Sequence, residues 1–458
     1  MRIIIIGDGK VGHTIAQHLI TEEHEVTIVD RSEAALLRSQ DTLDAMMVQG
    51  NGVNVDTLLK AGADQADIVI AVTVSDEINM LSCLTAKRLG SKYAIARIRD
   101  PEYNKSLSFI MRELMIDYVI NPERIMAQEI SRILRYPFSG SVETFARGRV
   151  ELMDFRVAED DVLKGIALKD LYSKKPHLPR VLFGAVEREG EALIPKGDYV
   201  LQVGDRVFVA ADVLTITRFF AAIGKNTSDI KSVMILGAGR IAYYLCSLLL
   251  DMHKQVTVVE IDPERAKEFA QMLPGANVII GDGTDQELLT SEGLDHFDAF
   301  VTLSGLDEEN IMAALYAKHL GVRKVVVKNS RDSYQELLGL IGLESAVSTR
   351  TVTGNTILRT VRTRNAANQA DAVERLYRLM DGEVEALEFL VQKDCPLIDR
   401  KLKSLRIRAN ILIAVIVREG KVFIPFGEDV LKPGDRVVII VKSGGVERIQ
   451  DILEKGHS

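Results

Sequence analysis

Residues 1–12 of this 458-residue chain read MRIIIIGDGKVG, and this stretch decides the fold of the first part of the molecule. Ile3–Ile6 is a short apolar run of the kind found in strands that are buried on both faces of a parallel sheet. Gly7-Asp8-Gly9-Lys10-Val11-Gly12 follows it directly and matches the G-x-G-x-x-G pattern. After a strand and before a helix, this pattern predicts a nucleotide-binding loop.

The three glycines of this loop each have a physical reason. The first permits a tight turn, the second lets the backbone approach a pyrophosphate, and the third allows the helix to pack closely on the strand. Backbone N–H groups at the start of the helix would then face the phosphates. Asp30 ends the second predicted strand, where a carboxylate can accept hydrogen bonds from both hydroxyls of an adenosine ribose. A 2′-phosphate would meet this negative charge, so NADP is disfavoured.

Strands and helices alternate beyond the loop. Several short runs are rich in isoleucine and valine. Between two of them lies the segment Glu77–Leu89, whose apolar residues have helical spacing. Strand–helix alternation predicts a doubly wound, Rossmann-like α/β domain with a parallel sheet. The runs predicted as strands are Arg2–Ile6, Glu25–Val29, Ala45–Val48, Ile68–Val72 and Ala94–Ile98.

A further helix is predicted from Asn121 to about Arg135. Asn121 is a good N-cap residue and Pro122 suits the first helical position. An apolar stripe at helical spacing follows and needs to be covered. Packing inside its own domain and packing on a neighbouring domain or subunit both remain open. The stripe consists of Met126, Ile130, Ile133 and Leu134.

The whole arrangement occurs twice. Gly7-Asp8-Gly9 recurs as Gly237-Ala238-Gly239, and Asp30 recurs as Glu260, both 230 residues later. Asn51-Gly52 recurs as Asp282-Gly283 at an offset of 231. A period this long indicates a duplicated pair of domains, since solenoid repeats have units of about 20–50 residues.

A small module rich in strands follows each nucleotide domain. Its predicted strands are separated by turn signals such as Glu189-Gly190 and Gly204-Asp205, which recur as Glu419-Gly420 and Gly434-Asp435. The first copy has strands at Val150–Val157, Val181–Arg188, Ala192–Pro195 and Arg206–Ala210. The predicted division is a nucleotide-binding domain over 1–121, a linking helix over 122–142, a small α+β domain over 143–225, a second nucleotide-binding domain over 230–350, a second linking helix over 351–382, and a second small α+β domain over 383–458.

Other loops at the carboxyl ends of the strands are expected to complete each nucleotide pocket. Asp76 and Asp307 open a helix in this region, and an N-cap role is the simpler interpretation for both. The residues predicted to contact nucleotide in the first copy are Gly7, Asp8, Gly9, Lys10, Val11, Gly12, Asp30, Arg31, Asn51, Gly52, Thr73, Val74 and Arg97. Those in the second copy are Gly237, Ala238, Gly239, Arg240, Ile241, Glu260, Asp282, Gly283, Ser304 and Lys328.

Composition excludes several classes of function. The formal net charge of −8 argues against general binding of nucleic acid, which needs a basic surface. No apolar run approaches the roughly 18–20 residues that span a bilayer, so we expect a cytoplasmic protein. The cysteines Cys83, Cys246 and Cys395 are far apart, and no histidines stand near them at metal-binding spacing, so no metal site is predicted.

No catalytic residue is predicted. A hydride-transfer enzyme needs a substrate pocket and an acid or base beside the nicotinamide, whereas only the small module follows each nucleotide domain. The first small module contains a single histidine, His177. Two nucleotide domains, each paired with a small module, favour a sensing protein. An NAD-dependent oxidoreductase of unusual build and a redox-sensing regulator of some other partner remain the alternatives.

The chain resembles the regulatory subunits of Trk potassium uptake, the TrkA type. The first domain is similar to the nucleotide-binding domain of that family, also called KTN or RCK-N, and the small module is similar to its C-terminal domain. Ala242 and Glu260 in the second copy depart from the pattern of the first. The resemblance is carried by Gly7-x-Gly9-x-x-Gly12, Asp30, Val48-Gln49-Gly50-Asn51-Gly52, Ala71-Val72-Thr73-x-x-Asp76-Glu77-x-Asn79, Ile95-Ala96-Arg97, Pro195-x-Gly197 and Gly204-Asp205-Arg206-Val207.

The resemblance implies a regulatory subunit that forms a ring beneath a membrane potassium-translocating subunit of the TrkH or TrkG type. It implies binding of NAD or NADH and of ATP or ADP, which would open or close transport. It also implies a homo-oligomer, a dimer or a tetrameric ring, held at the inner face of the cell membrane.

Overall fold

The computed structural model describes residues 1–136, 139, 141–225, 229–331, 334–343, 345–366, 373–442, 445–446 and 448–454. The chain forms two compact units, each assembled from two separate stretches. The first unit contains Met1–Ser131 and Lys231–Val361, and the second contains Arg132–Ile230 and Arg362–Ser458. Among the described residues, no helix is both long enough and apolar enough to span a membrane.

The first half of the chain begins with alternating strands and helices and continues with the small module. In chain order the elements are β1 (Arg2–Ile6), α1 (Lys10–Thr21), β2 (Glu25–Asp30), α2 (Glu33–Gln40), β3 (Met46–Gln49), α3 (Val55–Lys60), β4 (Ile68–Ala71), α4 (Asp76–Leu89), β5 (Tyr93–Arg97), α5 (Leu107–Glu113), β6 (Tyr118–Ile120), α6 (Pro122–Arg135), β7 (Val142–Phe145), β8 (Val150–Arg156), α7 (Leu168–Lys174), β9 (Leu182–Arg188), β10 (Glu191–Leu193), β11 (Arg206–Asp212) and α8 (Val213–Ala222).

The second half repeats this order with small differences. Its elements are β12 (Ser232–Leu236), α9 (Arg240–Asp251), β13 (Gln255–Glu260), α10 (Pro263–Met272), β14 (Asn277–Ile280), α11 (Gln286–Ser291), β15 (Ala299–Thr302), α12 (Asp307–His319), β16 (Lys324–Asn329), α13 (Gln335–Leu340), β17 (Ala346–Ser348), α14 (Thr349–Ala366), β18 (Val373–Leu379), β19 (Val384–Leu390), β20 (Ile411–Arg418), β21 (Lys421–Phe423) and β22 (Arg436–Lys442).

The first unit contains two parallel sheets. Their strand orders are β3-β2-β1-β4-β5-β6 and β14-β13-β12-β15-β16-β17, which is the doubly wound order with a reversal beside the first strand of each half. The predicted fold class is therefore confirmed. The five predicted strands of the first sheet agree with the structure to within one residue at each end. The central strands β1 and β4 are apolar runs buried on both faces, whereas β3 lies at the sheet edge and is largely exposed.

The helix α6 begins as the sequence predicts, since Asn121 Oδ1 accepts a hydrogen bond of 2.9 Å from the Arg124 N–H. Its whole apolar stripe is buried within this single chain. Ser131 Oγ of α6 lies 3.9 Å from Met252 Sδ, just after α9. In the other half, Ile357 of α14 packs with Ile15 of α1. The stripe is therefore covered within this chain, and its burial gives no reason to expect a partner subunit.

The second unit contains two five-stranded antiparallel sheets, with strand orders β10-β9-β11-β8-β7 and β18-β19-β22-β20-β21. Their facing surfaces share one apolar cluster that includes Phe145, Phe208, Ala386 and Ile440. A β carbon at Gly184 would lie 2.2 Å from Ile440 Cδ1, so the two sheets approach closely at this glycine. The prediction of a small strand-rich α+β module in each half is confirmed.

The first linking segment was placed over 122–142, and its helix ends at Arg135, as the sequence predicts. The second linking helix was predicted too long. This helix, placed over 351–382, ends at Ala366; residues 367–372 lie outside the described residues, and Val373–Leu379 is strand β18. The pairing of β18 with β19 shifts register between Val373 and Arg375. This shift turns Val373 and Leu376 toward the same core, and that three-residue spacing is easily read as helical.

Candidate functional site

The first glycine-rich loop lies where the strand order of its sheet reverses. Gly7 has a φ of +108°, and its N–H donates to Val29 O at 2.8 Å. A β carbon at Gly12 would lie 1.8 Å from Gly7 O, so the start of α1 can pack on this turn only without a side chain. A β carbon at Gly9 would meet no atom within 4 Å. The space over Gly9 is therefore open, as the predicted approach of a pyrophosphate requires.

The second loop has the same backbone geometry. Gly237 has a φ of +97° and donates from its N–H to Val259 O at 2.8 Å. A β carbon at Gly239 would also meet no atom within 4 Å. Ala242 occupies the position of the third glycine and is fully buried, so the packing of α9 on this turn leaves room for one methyl group.

An acidic residue holds each loop from the end of the neighbouring strand. Asp30 Oδ2 accepts from the Asp8 N–H at 2.7 Å, and its Oδ1 accepts from the Ser32 N–H at 2.8 Å. Glu260 makes the same pair of bonds, to the N–H of Ala238 at 2.7 Å and of Asp262 at 3.0 Å. A carboxylate offers about four acceptor positions, so acceptor positions remain on both. Asp30 is half-buried, whereas Glu260 is only 5% exposed.

Asp8 points into the domain and away from the open face of its loop. Its side chain is buried, and Oδ1 accepts from Ser39 Oγ at 2.9 Å. Ser39 Oγ also lies 2.8 Å from His13 Nδ1. Burial raises the pKa of the Asp8 carboxyl above its ordinary value. The side chain of Asp8 therefore braces α1 against α2, and only its backbone belongs to the loop.

An asparagine ties together the two loops on the other side of each pocket. Asn79 Oδ1 accepts from the Thr73 N–H at 2.8 Å, while its Nδ2 donates to Arg97 O at 2.9 Å. Asn310 repeats this between the Ser304 N–H at 2.9 Å and Lys328 O at 3.1 Å. Sequence reasoning did not name these asparagines as site residues, although their recurrence at matching positions was a usable signal.

The N-cap interpretation of Asp76 and Asp307 is wrong. Ser75 caps α4, with its Oγ accepting from the Ile78 N–H at 3.2 Å. Asp76 Oδ2 accepts from the N–H of Arg99 at 2.8 Å and of Asp100 at 2.9 Å. Ser75 and Asp76 are adjacent, and either could cap the helix. Ser75 does so, and Asp76 instead binds the backbone of the segment after β5.

Asp307 has the corresponding role in the second half. Its Oδ2 accepts from the Ser330 N–H at 3.0 Å, and Leu306 occupies the N-cap position of α12 without a side-chain bond. Both carboxylates therefore hold the backbone after the fifth strand of their sheet.

The loop after the third strand of each sheet carries a neutral residue, Asn51, in the first half and a charged residue, Asp282, in the second. Asn51 Oδ1 accepts from the Val53 N–H at 3.2 Å, whereas Asp282 Oδ1 accepts from the Thr284 N–H at 2.9 Å. The bond from the Thr284 N–H lowers the pKa of the Asp282 carboxyl. Position 52 has no room for a side chain, because a β carbon at Gly52 would lie 2.2 Å from Ile6 Cγ2. The corresponding β carbon at Gly283 would lie 2.7 Å from Leu236 Cδ1.

The basic residues at the ends of the fifth strands are engaged with protein atoms. Arg97 Nη2 lies 3.4 Å from Glu123 Oε1, and burial lowers the pKa of this guanidinium. Lys328 Nζ donates to Ser304 O at 2.8 Å, and burial likewise lowers its pKa. The remaining predicted residues divide by exposure. Lys10, Arg31 and Val74 have exposed side chains, Val11 is half-buried and Ile241 is buried.

The second glycine-rich loop is attached to the first half of the chain. The hydroxyl of Tyr244, on α9, donates to Arg99 O at 2.9 Å and accepts from Asn121 Nδ2 at 2.9 Å. Arg240, within the loop, lies 3.5 Å from Asp100 through its Nη2 and the carboxylate Oδ2. These contacts join the predicted second site to the segment that Asp76 fixes beside the first.

Family models match most of the chain. The TrkA-N domain matches residues 3–122 and 233–349, and the TrkA-C domain matches residues 152–224 and 386–454. The chain is 32% identical to a Trk system potassium uptake protein TrkA homolog of Archaeoglobus fulgidus over 454 residues, covering 99% of this chain and 100% of the relative. It is 33% identical to the Trk system potassium uptake protein TrkA of Haemophilus influenzae over 446 residues, covering 96% and 95%.

Solved structures share the fold. The GsuK channel bound to NAD matches with a TM-score of 0.62 and 18% identity, covering 96% of this chain and 77% of that one. GsuK bound to ADP matches with a TM-score of 0.50 and 16% identity, covering 79% and 69%. The duplicated glycine-rich loops, the paired sheets and the full-length relatives agree, and the chain belongs to the TrkA family, the regulatory and non-enzymatic subunits of Trk potassium uptake.

Proposed function

We propose that the chain binds adenine nucleotides, NAD or NADH and ATP or ADP, at its two glycine-rich loops and thereby gates a membrane potassium-translocating subunit. The observation that carries this proposal is the duplicated loop. Gly9 and Gly239 both have open space above them, and Asp30 and Glu260 both hold the loop from the ribose side. The reported complexes of GsuK with NAD and with ADP support the choice of ligands.

The first turns of α1 and α9 would bind the phosphates. Their N-caps, Gly9 and Gly239, carry no side chain, so the free N–H groups of the first turn face the open space. Asp30 and Glu260 would each accept the ribose hydroxyls while keeping their bonds to the loop. No group in this arrangement has a catalytic task; every role is in binding.

Gating requires that a nucleotide binds two conformations of the subunit with different affinity. The contacts of Asp76 and Asn79 support a route for this. Both residues attach the segment after β5 to the rim of the first pocket, and Tyr244 attaches the same segment to α9. A ligand that moves this rim would therefore move a segment shared with the second half.

We further propose that the subunit is a homo-oligomer, a dimer or a tetrameric ring, at the cytoplasmic face of the membrane. The buried stripe of α6 no longer supports this, but another surface does. Large apolar side chains are exposed on and beside α4 and α5 and on and beside α12 and α13, and a partner copy of the chain would remove them from water. They are Val74, Leu81 and Phe109 in the first half and Leu306, Met312, Leu337 and Leu340 in the second.

Calorimetric titration with NAD, NADH, ATP and ADP tests the binding sites. Wild-type protein is expected to bind nucleotide, and the double variant Gly9→Val with Gly239→Val is expected to bind none, because valine would fill the phosphate space. Both positions have room for a side chain, so the fold should survive. Gly339→Val is a control for nucleotide binding but not for assembly, because Gly339 has equally open surroundings and lies on α13 between Leu337 and Leu340. Full binding by the folded double variant would contradict the role of the loops.

Gating is tested with the membrane potassium-translocating subunit in proteoliposomes. Potassium flux is measured with and without the purified chain, and then with each nucleotide. We expect nucleotide to change the flux only when the wild-type chain is present, and the double loop variant to leave the flux insensitive to nucleotide. Flux that responds equally with and without the chain would contradict the proposal.

A further inference from the structure

The two glycine-rich loops share a backbone but differ in charge on the phosphate side. Lys10 follows the second glycine of the first loop, is exposed, and forms no salt bridge among the residues that the structure describes. Arg240 holds the same position in the second loop and pairs with Asp100 of the first half at 3.5 Å. One loop therefore presents an exposed cation with no ion pair among the described residues, whereas the cation of the other lies beside a carboxylate.

The reciprocal pair cannot form in the first half. Arg97 and Lys328 end equivalent strands, so the residue that corresponds to Asp100, three positions after Arg97, is Arg331. Arg331 is cationic and pairs with Glu308 within its own half at 2.9 Å. A contact between Lys10 and that position would place like charges together. The two halves therefore carry opposite charges at this position, Asp100 in the first and Arg331 in the second.

The ribose side differs in the same direction. Exposed Arg31 follows Asp30, whereas Ile261, which is 65% exposed, follows Glu260. The next position is Ser32 in the first half and Asp262 in the second. In addition, Asn51 is replaced by Asp282, whose carboxyl pKa is lowered by its bond from the Thr284 N–H. Each of these replacements makes the second site less positive than the first, whereas the replacement of Asp8 by Ala238 acts in the opposite direction.

We propose that the first loop is selective for an adenine nucleoside triphosphate and the second for a dinucleotide. This assignment rests on the proposed nucleotide binding and adds to it which copy takes which class. A triphosphate carries the larger negative charge and ends in a terminal phosphate, so it gains most from the exposed cations Lys10 and Arg31. A dinucleotide has a bridging pyrophosphate and a cationic or neutral nicotinamide. Its binding affinity is therefore lowered less than that of a triphosphate by the negative charges of Asp262 and Asp282.

Coulomb's law gives the size of the effect. One unit charge at about 6 Å in a partly solvated site changes affinity by roughly three- to tenfold, and the two sites differ by more than one charge. The ratio of ATP affinity to NAD affinity is therefore expected to be at least about tenfold higher at the first loop than at the second. At higher salt this difference should shrink, because exposed charges are screened.

Single-site variants separate the two loops. Gly239→Val leaves only the first loop open, and Gly9→Val leaves only the second. Each protein is titrated with ATP and with NAD by calorimetry. We expect the variant with the first loop open to favour ATP and the variant with the second loop open to favour NAD. Equal ratios in the two variants, or the reverse order, would overturn the assignment while leaving nucleotide binding intact.

A charge variant tests the cause. Asp100→Asn in the Gly9→Val background frees Arg240 from its partner while keeping an acceptor for the Glu102 N–H that Asp100 now caps. ATP affinity at the second loop should rise roughly three- to tenfold, with little change for NAD. Asp64→Asn, which removes the same charge at the far end of the first sheet, should change neither. An unchanged ATP affinity in Asp100→Asn would overturn this explanation. Failure of the wild-type protein to bind either nucleotide would overturn the proposed function and the assignment together.

Discussion

The two nucleotide loops and the two small modules of this chain have diverged to different degrees. The modules keep the same polar lock: Arg188 pairs with Asp205 at 2.7 Å and Arg418 pairs with Asp435 at 2.7 Å. The preceding turns also match, since Glu189 and Glu419 have φ values of +54° and +49°. The modules have therefore kept side chains as well as backbone.

The nucleotide loops have kept only their backbone. The hydrogen-bonded set of Asp8, Ser39 and His13 in the first half is replaced in the second by Ala238, Phe269 and Tyr243. The tight glycine at position 12 has become Ala242. The two glycine-rich loops therefore share a backbone but differ in the charges around them. Such a difference would allow the two halves to bind different ligands with the same fold. Four changes test where the halves are equivalent and where they are not.

The largest effect is expected from a charge in the buried helices that follow the sheets. Ile130 on α6 and Ile357 on α14 occupy equivalent positions and are both 0% exposed. Replacing either with Asp should cost more than about 3 kcal/mol of unfolding free energy, because a carboxylate would be buried without a partner. Urea denaturation monitors this, with Leu37→Asp as the exposed control expected to change stability by about 0.5 kcal/mol or less. A tolerated charge at one of the two positions would show that the halves pack differently there.

The third glycine should distinguish the halves. Gly12→Ala would place a β carbon 1.8 Å from Gly7 O, so we expect a loss of about 2–3 kcal/mol as helix and turn move apart. The reverse change, Ala242→Gly, should cost only about 0.5–1 kcal/mol, mainly through helix propensity. Comparison of the two unfolding midpoints is the measurement, and equal losses would mean that the second turn is packed as tightly as the first.

The polar lock of the small modules predicts a pH dependence. Burial, the largest single influence, would raise the pKa of Asp205, but the hydrogen bonds from Arg188, the Gln202 N–H and Tyr199 and the positive charge of Arg188 together outweigh it, so the pKa is lowered. The carboxylate therefore stabilises the fold at neutral pH, and this contribution is lost as pH falls through the lowered pKa. Arg188→Ala should cost about 2 kcal/mol at pH 7 and clearly less in strong acid.

Arg418→Ala is the matched variant for the pH prediction. It removes the equivalent pair with Asp435, so at neutral pH its cost should resemble that of Arg188→Ala. A cost for Arg188→Ala that does not fall with pH would indicate packing, and not charge, as its origin.

Sequence reasoning recovered the elements that depend on local pattern. The strands β1 to β5 are short runs rich in apolar residues, and the burial of β1 and β4 on both faces makes those two the easiest to recognise. The strand β6, Tyr118–Ile120, was not predicted because three residues at a sheet edge carry too little pattern. The end of the second linking helix was misplaced because a register shift in β18 gives a strand the spacing of a helix.

The candidate site was predictable where the backbone defines it. Gly7, Gly9 and Asp30 stand at fixed spacings, and the structure places them together. The inward direction of the Asp8 side chain could not be predicted, because it depends on Ser39 from another helix. Contacts between the halves were equally hidden: Tyr244 and Arg99 are separated by 145 residues, and no local signal relates them.

The smallest effect is expected from that contact, and it also tests the asymmetry of the halves most directly. Tyr244→Phe keeps the buried ring but removes the hydroxyl that bonds Arg99 O and Asn121 Nδ2, so about 1 kcal/mol of unfolding free energy should be lost. The equivalent residue of α1 is Thr14, whose hydroxyl donates to Lys10 O within its own helix. Thr14→Val should therefore change stability by only a few tenths of a kcal/mol. If Tyr244 joins the second site to the segment beside the first, Tyr244→Phe should also reduce the effect of nucleotide at one open loop on affinity at the other, whereas Thr14→Val should not. Equal coupling in wild type and Tyr244→Phe would assign the hydroxyl to stability alone and leave the two loops to communicate by another path.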